Sequence, residues 1–222
     1  MRFVIFDTET TGLTQSDEVI QFAGLVVETT SEEEKQKMTA EGKTPKNLKL
    51  KNFCSFYCDT VKTINPEAQK IHGIDKETLK KLSENYTFED NFFPFVESLG
   101  EQPKCWVAYN IEFDKRLVNQ TLGNNGLPTF SFGKNIATIR EENEDTNFCL
   151  MNAMTSLNTA GKRRKLVDVV ASLGYSKETI DKSFAAFASR CNMSEDLSFH
   201  NAAYDVYCTY LVLEHHFNKL RA

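Results

Sequence analysis

Arg2-Phe3-Val4-Ile5-Phe6-Asp7-Thr8-Glu9-Thr10-Thr11-Gly12 is the stretch on which the fold turns. Phe3 to Phe6 is uninterrupted apolar sequence, the pattern of a strand buried on both faces. Two carboxylates directly after it are costly, because desolvated charge needs compensation. Residues two apart on a strand point the same way, so Asp7 and Glu9 converge on one spot before Thr10-Thr11-Gly12 turns the chain. Two carboxylates aimed together repel, and a divalent cation relieves the conflict by binding both. An isolated Asp-x-Glu would be better read as turn residues ending a strand. This one is not isolated.

Its first companion is Ala108-Tyr109-Asn110-Ile111-Glu112-Phe113-Asp114. It continues Cys105-Trp106-Val107-Ala108, a short apolar run after Gly100 and Pro103 that reads as a second central strand. Asp114 then falls early in a helix running through Leu117, Val118 and Leu122. The second companion, His200-Asn201-Ala202-Ala203-Tyr204-Asp205, opens the last helix. On an ideal helix His200 and Asp205 would project about 140° apart. With Asn201 as the N-cap, His200 instead lies on the preceding loop and Asp205 in an early turn.

FDTETTGL, AYNIEFD and HNAAYD, in that order, resemble the three motifs of the DEDD-type 3′-to-5′ exonucleases, in the branch with a motif-three histidine. Polymerase proofreading subunits, ribonuclease T and oligoribonuclease belong to that superfamily. Asn65-Pro66-Glu67-Ala68 running into Ile71-His72-Gly73-Ile74 is similar to a further segment of the branch. Lys165-Leu166-Val167 through Leu173-Gly174 resembles the helix before motif three. The resemblance spans residue 3 to about residue 213 and implies a ribonuclease-H-like α/β fold: a mixed five-stranded sheet with helices on both faces. Members commonly carry His-Asn where this chain has Tyr109-Asn110, which alters one wall of the cleft and leaves the carboxylate set intact.

The resemblance also implies a chemistry. Hydrolysing a phosphodiester requires a nucleophile made from water and stabilisation of charge on the phosphate and the leaving O3′. Two hard cations about 4 Å apart do both, and Mg²⁺ or Mn²⁺ suits an all-oxygen set. By resemblance, Asp7, Glu9 and Asp205 hold one ion, Asp7 bridges to a second, and Asp114 assists through bound waters. His200 is the general base, since an imidazole of pKa about 6.5 is mostly neutral at physiological pH. Backbone groups of Thr8 and Thr10 and the side chain of Leu13 resemble the surface that receives the terminal nucleotide. Phe113 reads either as a base-stacking ring or as core. Asn110 either locks the Asp114 loop or touches substrate, and His72 is a rim residue or a plain turn residue beside Gly73.

Bulk properties set bounds. At 222 residues, 41% apolar with 17 phenylalanines, the chain suits one domain with a full core, residues 1–222. A net charge of −5 excludes a basic protein that coats nucleic acid by counterion release. An acidic nuclease must hold its substrate locally, which favours single-stranded 3′ ends of DNA or RNA over long duplexes. The six cysteines show no zinc-type spacing. Cys105, Cys149 and Cys208 fall in apolar stretches as small hydrophobes. Cys54 and Cys58 would lie about 13 Å apart along a strand, too far for a disulfide. A reducing compartment, cytoplasm or nucleus, is expected. The four-residue opening run is neither a signal peptide nor a membrane anchor. A protein partner and a homodimer both stay open.

Further strands are expected at Val19 to Val27, Phe53 to Tyr57 and Asn147 to Met151. Helices are expected at Pro66 to Ile71, Lys76 to Leu82, Phe88 to Leu99, Lys165 to Leu173, Ser183 to Cys191 and Ala202 to Leu220. Residues 29 to 51 read as a polar insertion, a hairpin or loose loop, whose Lys43, Lys46, Lys49 and Lys51 form either surface decoration or a steering arm. Lys162-Arg163-Arg164-Lys165 reads as a solvated patch or, beside the cleft, a phosphate guide. Gly161-Lys162 lacks the earlier glycine and following Ser/Thr of a P-loop. Two other functions compete: a scaffold that keeps the fold without turnover, and a hydrolase of small phosphate esters.

Overall fold

The computed structural model describes residues 1–102, 104–136, 144–154, 162–191 and 200–220. Pro103 and Gly161, which figure in the sequence reading, lie outside them. Strands β1 (Arg2–Thr10), β2 (Val19–Thr29), β3 (Leu48–Tyr57), β4 (Cys105–Ala108), β5 (Lys134–Asn135) and β6 (Thr146–Cys149) form one sheet in the order β3-β2-β1-β4-β6-β5. β1 to β3 are joined antiparallel, whereas β4 pairs parallel with β1 and with β6. The C-terminal ends of β1, β4 and β6 therefore share one edge, the edge at which parallel α/β sheets bind ligands.

The expected mixed α/β sheet is present, with six strands instead of five. The extra one, β5, is two exposed polar residues parallel to β6, too short to leave an apolar pattern. β1 is buried on both faces as its sequence demands. Phe3 and Ile5 join the core beneath the C-terminal helix, while Val4 and Phe6 join the opposite core with Trp106 and Phe132. That second core is largely aromatic: Phe22 meets Phe92 edge-on at 5.5 Å, and Phe6 meets Trp106 edge-on at 5.6 Å, geometries that suit ring quadrupoles.

Two expectations about residues 29 to 51 are corrected. The third strand begins at Leu48 instead of Phe53, because Leu48-Lys49-Leu50-Lys51 alternates and places Leu48 in the core. Ahead of it stands helix α1 (Glu32–Ala40), neither hairpin nor loose loop. Ser31 and Glu34 close a capping box, with Glu34 N–H on Ser31 Oγ at 3.1 Å and Ser31 N–H on Glu34 Oε2 at 2.8 Å. No α1 residue is buried, and Lys49 ties it to the sheet through Glu34 at 2.8 Å. Lys51 pairs with Glu28 at 3.5 Å and Lys43 with Glu41 at 2.8 Å. Three of the four lysines of the suggested steering arm are thus engaged within the chain.

The remaining helices of the described residues are α2 (Pro66–His72), α3 (Lys76–Ser83), α4 (Phe88–Ser98), α5 (Ile111–Asn124), α6 (Leu150–Ala153), α7 (Leu166–Ser172), α8 (Lys177–Arg190) and α9 (Ala202–Leu220). α8 starts six residues earlier than its sequence suggests, capped by Ser176, whose Oγ accepts from Thr179 N–H. α5 packs on the Val4/Phe6 face and α9 on the Phe3/Ile5 face. All six cysteines are free thiols. Among the described residues no helix is long and apolar enough to cross a membrane.

Candidate active site

Strand alternation carries Asp7 and Glu9 onto the α9 face, continuing Phe3 and Ile5. The ladder with β2 slips between Glu9 and Thr10, a bulge of the kind that re-aims side chains at functional edges. Thr8 points the other way, toward α5, and its hydroxyl donates to Asp114 Oδ1 at 2.9 Å. Asp114 is itself buried, with 3% of its surface exposed. Acids from both helical layers thereby meet at the end of one strand.

The turn into α9 follows the expected capping. Asn201 Oδ1 accepts from Ala203 N–H at 3.0 Å and Tyr204 N–H at 3.4 Å, and its carbonyl accepts from Asp205 N–H at 3.0 Å. His200 sits just outside the helix with φ +66°, in the left-handed region. Its backbone N–H donates to Asp205 Oδ2 at 3.3 Å. One ligand atom each from Glu9, His200 and Asp205 lies within 4.8 Å of the others.

Electrostatics agree that four carboxylates share this pocket. Burial raises the Asp7 carboxyl well above its ordinary range, and the charges of Asp114, Asp205 and Glu9 push it further. Glu9 is raised by burial and then by Asp205 and Asp114. Asp114 is raised to about 7 by burial against the lowering effect of its Thr8 hydrogen bonds, and Asp205 to about 7 by burial despite the His200 N–H. His200 is held below its usual value by burial and then by the charge of Lys165.

Those donors fit divalent metal. Asp205 Oδ1 is buried without a hydrogen-bond partner, and clustered carboxylate oxygens are what a hard cation prefers. No lysine or arginine among the described residues forms an ion pair with any of the four acids.

The other sequence candidates fall around this cluster. Leu13 is 72% exposed on the turn after β1. Thr10 is buried, and its hydroxyl donates to Gly12 O at 2.9 Å. His72 Nδ1 accepts from Ile74 N–H at 3.0 Å, so Nε2 carries the proton and donates to Thr10 O at 3.2 Å. Burial and the nearby His200 keep this imidazole neutral-leaning, against the raising effect of the Thr10 bond. Asn110 is exposed at the start of α5 and makes no side-chain cap; its carbonyl accepts from Phe113 N–H at 2.9 Å. Phe113 packs against the aromatic core, with the Arg116 guanidinium 5.5 Å from its ring centre.

Two supporting residues escaped the sequence reading. Gln21, fully buried on β2 opposite Glu9, accepts from Ala202 N–H at 3.1 Å and fixes the start of α9. A lone amide inside the apolar run Val19 to Val27 was the available signal. Gln120 donates to Thr14 O at 2.9 Å and to Asp17 O at 2.5 Å, bracing the turn that displays Leu13.

A family model described as exonuclease matches residues 4–213. The chain belongs to the exonuclease family. That family lies in the DEDD superfamily, whose exonucleases depend on divalent metal. The zinc-bound complex of E. coli exonuclease I with single-stranded DNA superposes with a TM-score of 0.59 at 19% identity, covering 99% of this chain and 41% of that one. E. coli exonuclease I with a dT13 oligonucleotide gives 0.58 at 20% identity, over 99% and 42%. This exonuclease-family chain thus spans about two fifths of those chains, and at such identity the likeness concerns the fold. A comparison with curated proteins returns no match.

Proposed function

We propose that this chain is a 3′-to-5′ exonuclease of the histidine-bearing branch, acting as one domain on single-stranded ends and releasing nucleoside 5′-monophosphates. The observation that carries this reading is the meeting of Glu9, His200 and Asp205 within 4.8 Å beside Asp7 and Asp114. Asp7, Glu9, Asp114 and Asp205 would hold two Mg²⁺ or Mn²⁺ ions. Such ions acidify water and neutralise charge on the phosphate and leaving oxygens.

The chain's own groups do the rest. His200, depressed below its usual pKa, accepts a proton from the attacking water as a new P–O bond forms and the P–O3′ bond breaks. The released O3′ takes up a proton and becomes the new 3′ terminus. Asn201 and Gln21 fix the start of α9, keeping Asp205 aimed at Glu9. Leu13, exposed and braced, packs against the terminal base, and the Thr8 and Thr10 backbone lines its sugar.

The solved exonuclease I complexes contain single-stranded DNA, which makes single-stranded DNA the first substrate to try, with RNA beside it. Labelled DNA and RNA oligomers, single- and double-stranded, are incubated with Mg²⁺ or Mn²⁺. Mononucleotide release from the 3′ end, abolished by Asp7→Ala, is expected. Binding without turnover would favour a scaffold, and cleavage of free nucleotides alone a small-ester hydrolase. The intact acidic set speaks against the scaffold.

A further inference from the structure

Tyr109 lies directly after β4. Its ring is buried, and its hydroxyl donates to the carbonyl of Arg164 at 2.5 Å. Its own carbonyl accepts from Met151 N–H at 2.8 Å. The basic segment is therefore pinned to the C-terminal edge of the parallel strands, the edge that carries the acidic cluster. From there the chain enters α7, whose Val169 and Val170 are buried in the same core as Tyr204 and Val206 of α9. One side of 162–165 is thus fixed by β4, and the helix that follows it packs with the helix bearing Asp205.

The cations of this segment are not equivalent. Arg164 donates to Asp168 O at 2.6 Å and is committed to α7. Lys165 is exposed, and among the described residues its ammonium makes no ion pair or hydrogen bond. Several other lysines, such as Lys49, Lys134 and Lys177, are paired. Yet Lys165 is close enough to His200 for its charge to disfavour the imidazolium. An unpaired ammonium beside a pocket of carboxylates, bonded to none of them, is a compact point charge free to meet phosphate.

We propose that Lys165, positioned through the Tyr109–Arg164 hydrogen bond, binds a backbone phosphate of the strand whose 3′ end enters the site. The proposal rests on the exonuclease reading and deepens it. It also supplies what an acidic chain needs: a local cation, set where the strand must pass.

The test measures KM and kcat on a dT12 oligomer with Mg²⁺ across a salt series. Lys165→Ala is expected to raise KM about tenfold with kcat little changed, and to flatten the slope of log KM against log salt by about 0.7, the loss of one phosphate contact on a single strand. Lys165→Glu should go further in the same direction, Lys165→Arg should restore KM, and Lys43→Ala should match wild type. Tyr109→Phe, which deletes only the hydroxyl, should raise KM less than Lys165→Ala and leave kcat alone. An unchanged KM and salt slope in Lys165→Ala, or a fall confined to kcat, overturns the proposal. Failure of the unaltered protein to degrade either this oligomer or its RNA counterpart would instead sink the exonuclease reading, and the Lys165 assignment with it.

Discussion

The backbone N–H of His200 donates to the carboxylate of Asp205 at 3.3 Å, so the proposed base and a proposed metal ligand share one turn of chain. Asn201 makes this compatible with a helix: its side chain takes the N–H groups of Ala203 and Tyr204, with His200 before it in a left-handed conformation.

His200→Ala should lower kcat by about 10²- to 10⁴-fold, the usual worth of a general base, with KM and metal affinity retained. As the proposed base, His200 would act as the neutral imidazole, and burial and then the charge of Lys165 hold its pKa below the usual value. Activity should therefore climb with pH on the acid side of about 6.5 and flatten above. Steady-state profiles of both proteins check this, and a rising limb that survives in the variant would assign it elsewhere.

Asp7→Asn should abolish activity and make the metal-free protein more stable. Its burial and three carboxylate neighbours disfavour the ionised form. Removing that charge relieves repulsion by on the order of 1 kcal/mol, or about 2–4 °C in Tm for a chain of this size. Thermal melts with and without Mg²⁺ read both effects, and the Mg²⁺-induced rise should shrink in the variant.

The same cluster dictates a pH trend. Asp114 and Asp205 titrate near 7 when folded, and Asp7 and Glu9 are raised as well, whereas unfolded carboxyls titrate near 4. Between about pH 4 and 7 the native state holds more protons than the unfolded one, so this contribution to stability is present below about pH 4 and lost as pH rises through 7. Without metal, denaturant midpoints should fall across that window. The gain on adding Mg²⁺ should grow across it, because the ligands must be ionised to bind.

Asn201→Ala should cost about 1 kcal/mol, the worth of a helix cap, and should also lower kcat, because the same side chain sets the turn between His200 and Asp205. Asn201→Asp keeps a capping oxygen and should recover most of the stability. Equal kcat in the Ala variant and the wild type would separate the cap from the catalytic geometry.

Much of this architecture was legible because strong signals coincide. Phe3 to Phe6 must be covered on both sides, and the acids after it mark the strand's exposed end. Asn201 announces the start of α9. The insertion was misread where charge outweighed pattern: Ser31-x-x-Glu34 carried the cap of α1, and Leu48-Lys49-Leu50-Lys51 the alternation of β3, beneath a highly polar composition. β5 left no trace, since two exposed polar residues owe their pairing to β6 alone. The Tyr109 contact with Arg164 joins residues 55 positions apart through a backbone carbonyl, which no side-chain pattern encodes.

β1 runs between two separate cores, with odd-numbered residues committed to one and even-numbered residues to the other. Reading frame therefore matters in this strand as it does in a gene. One residue added or removed between Phe3 and Phe6 would rotate Asp7 and Glu9 toward α5 and hand Thr8 their place, so drift in length here is barred even where drift in side-chain identity is tolerated.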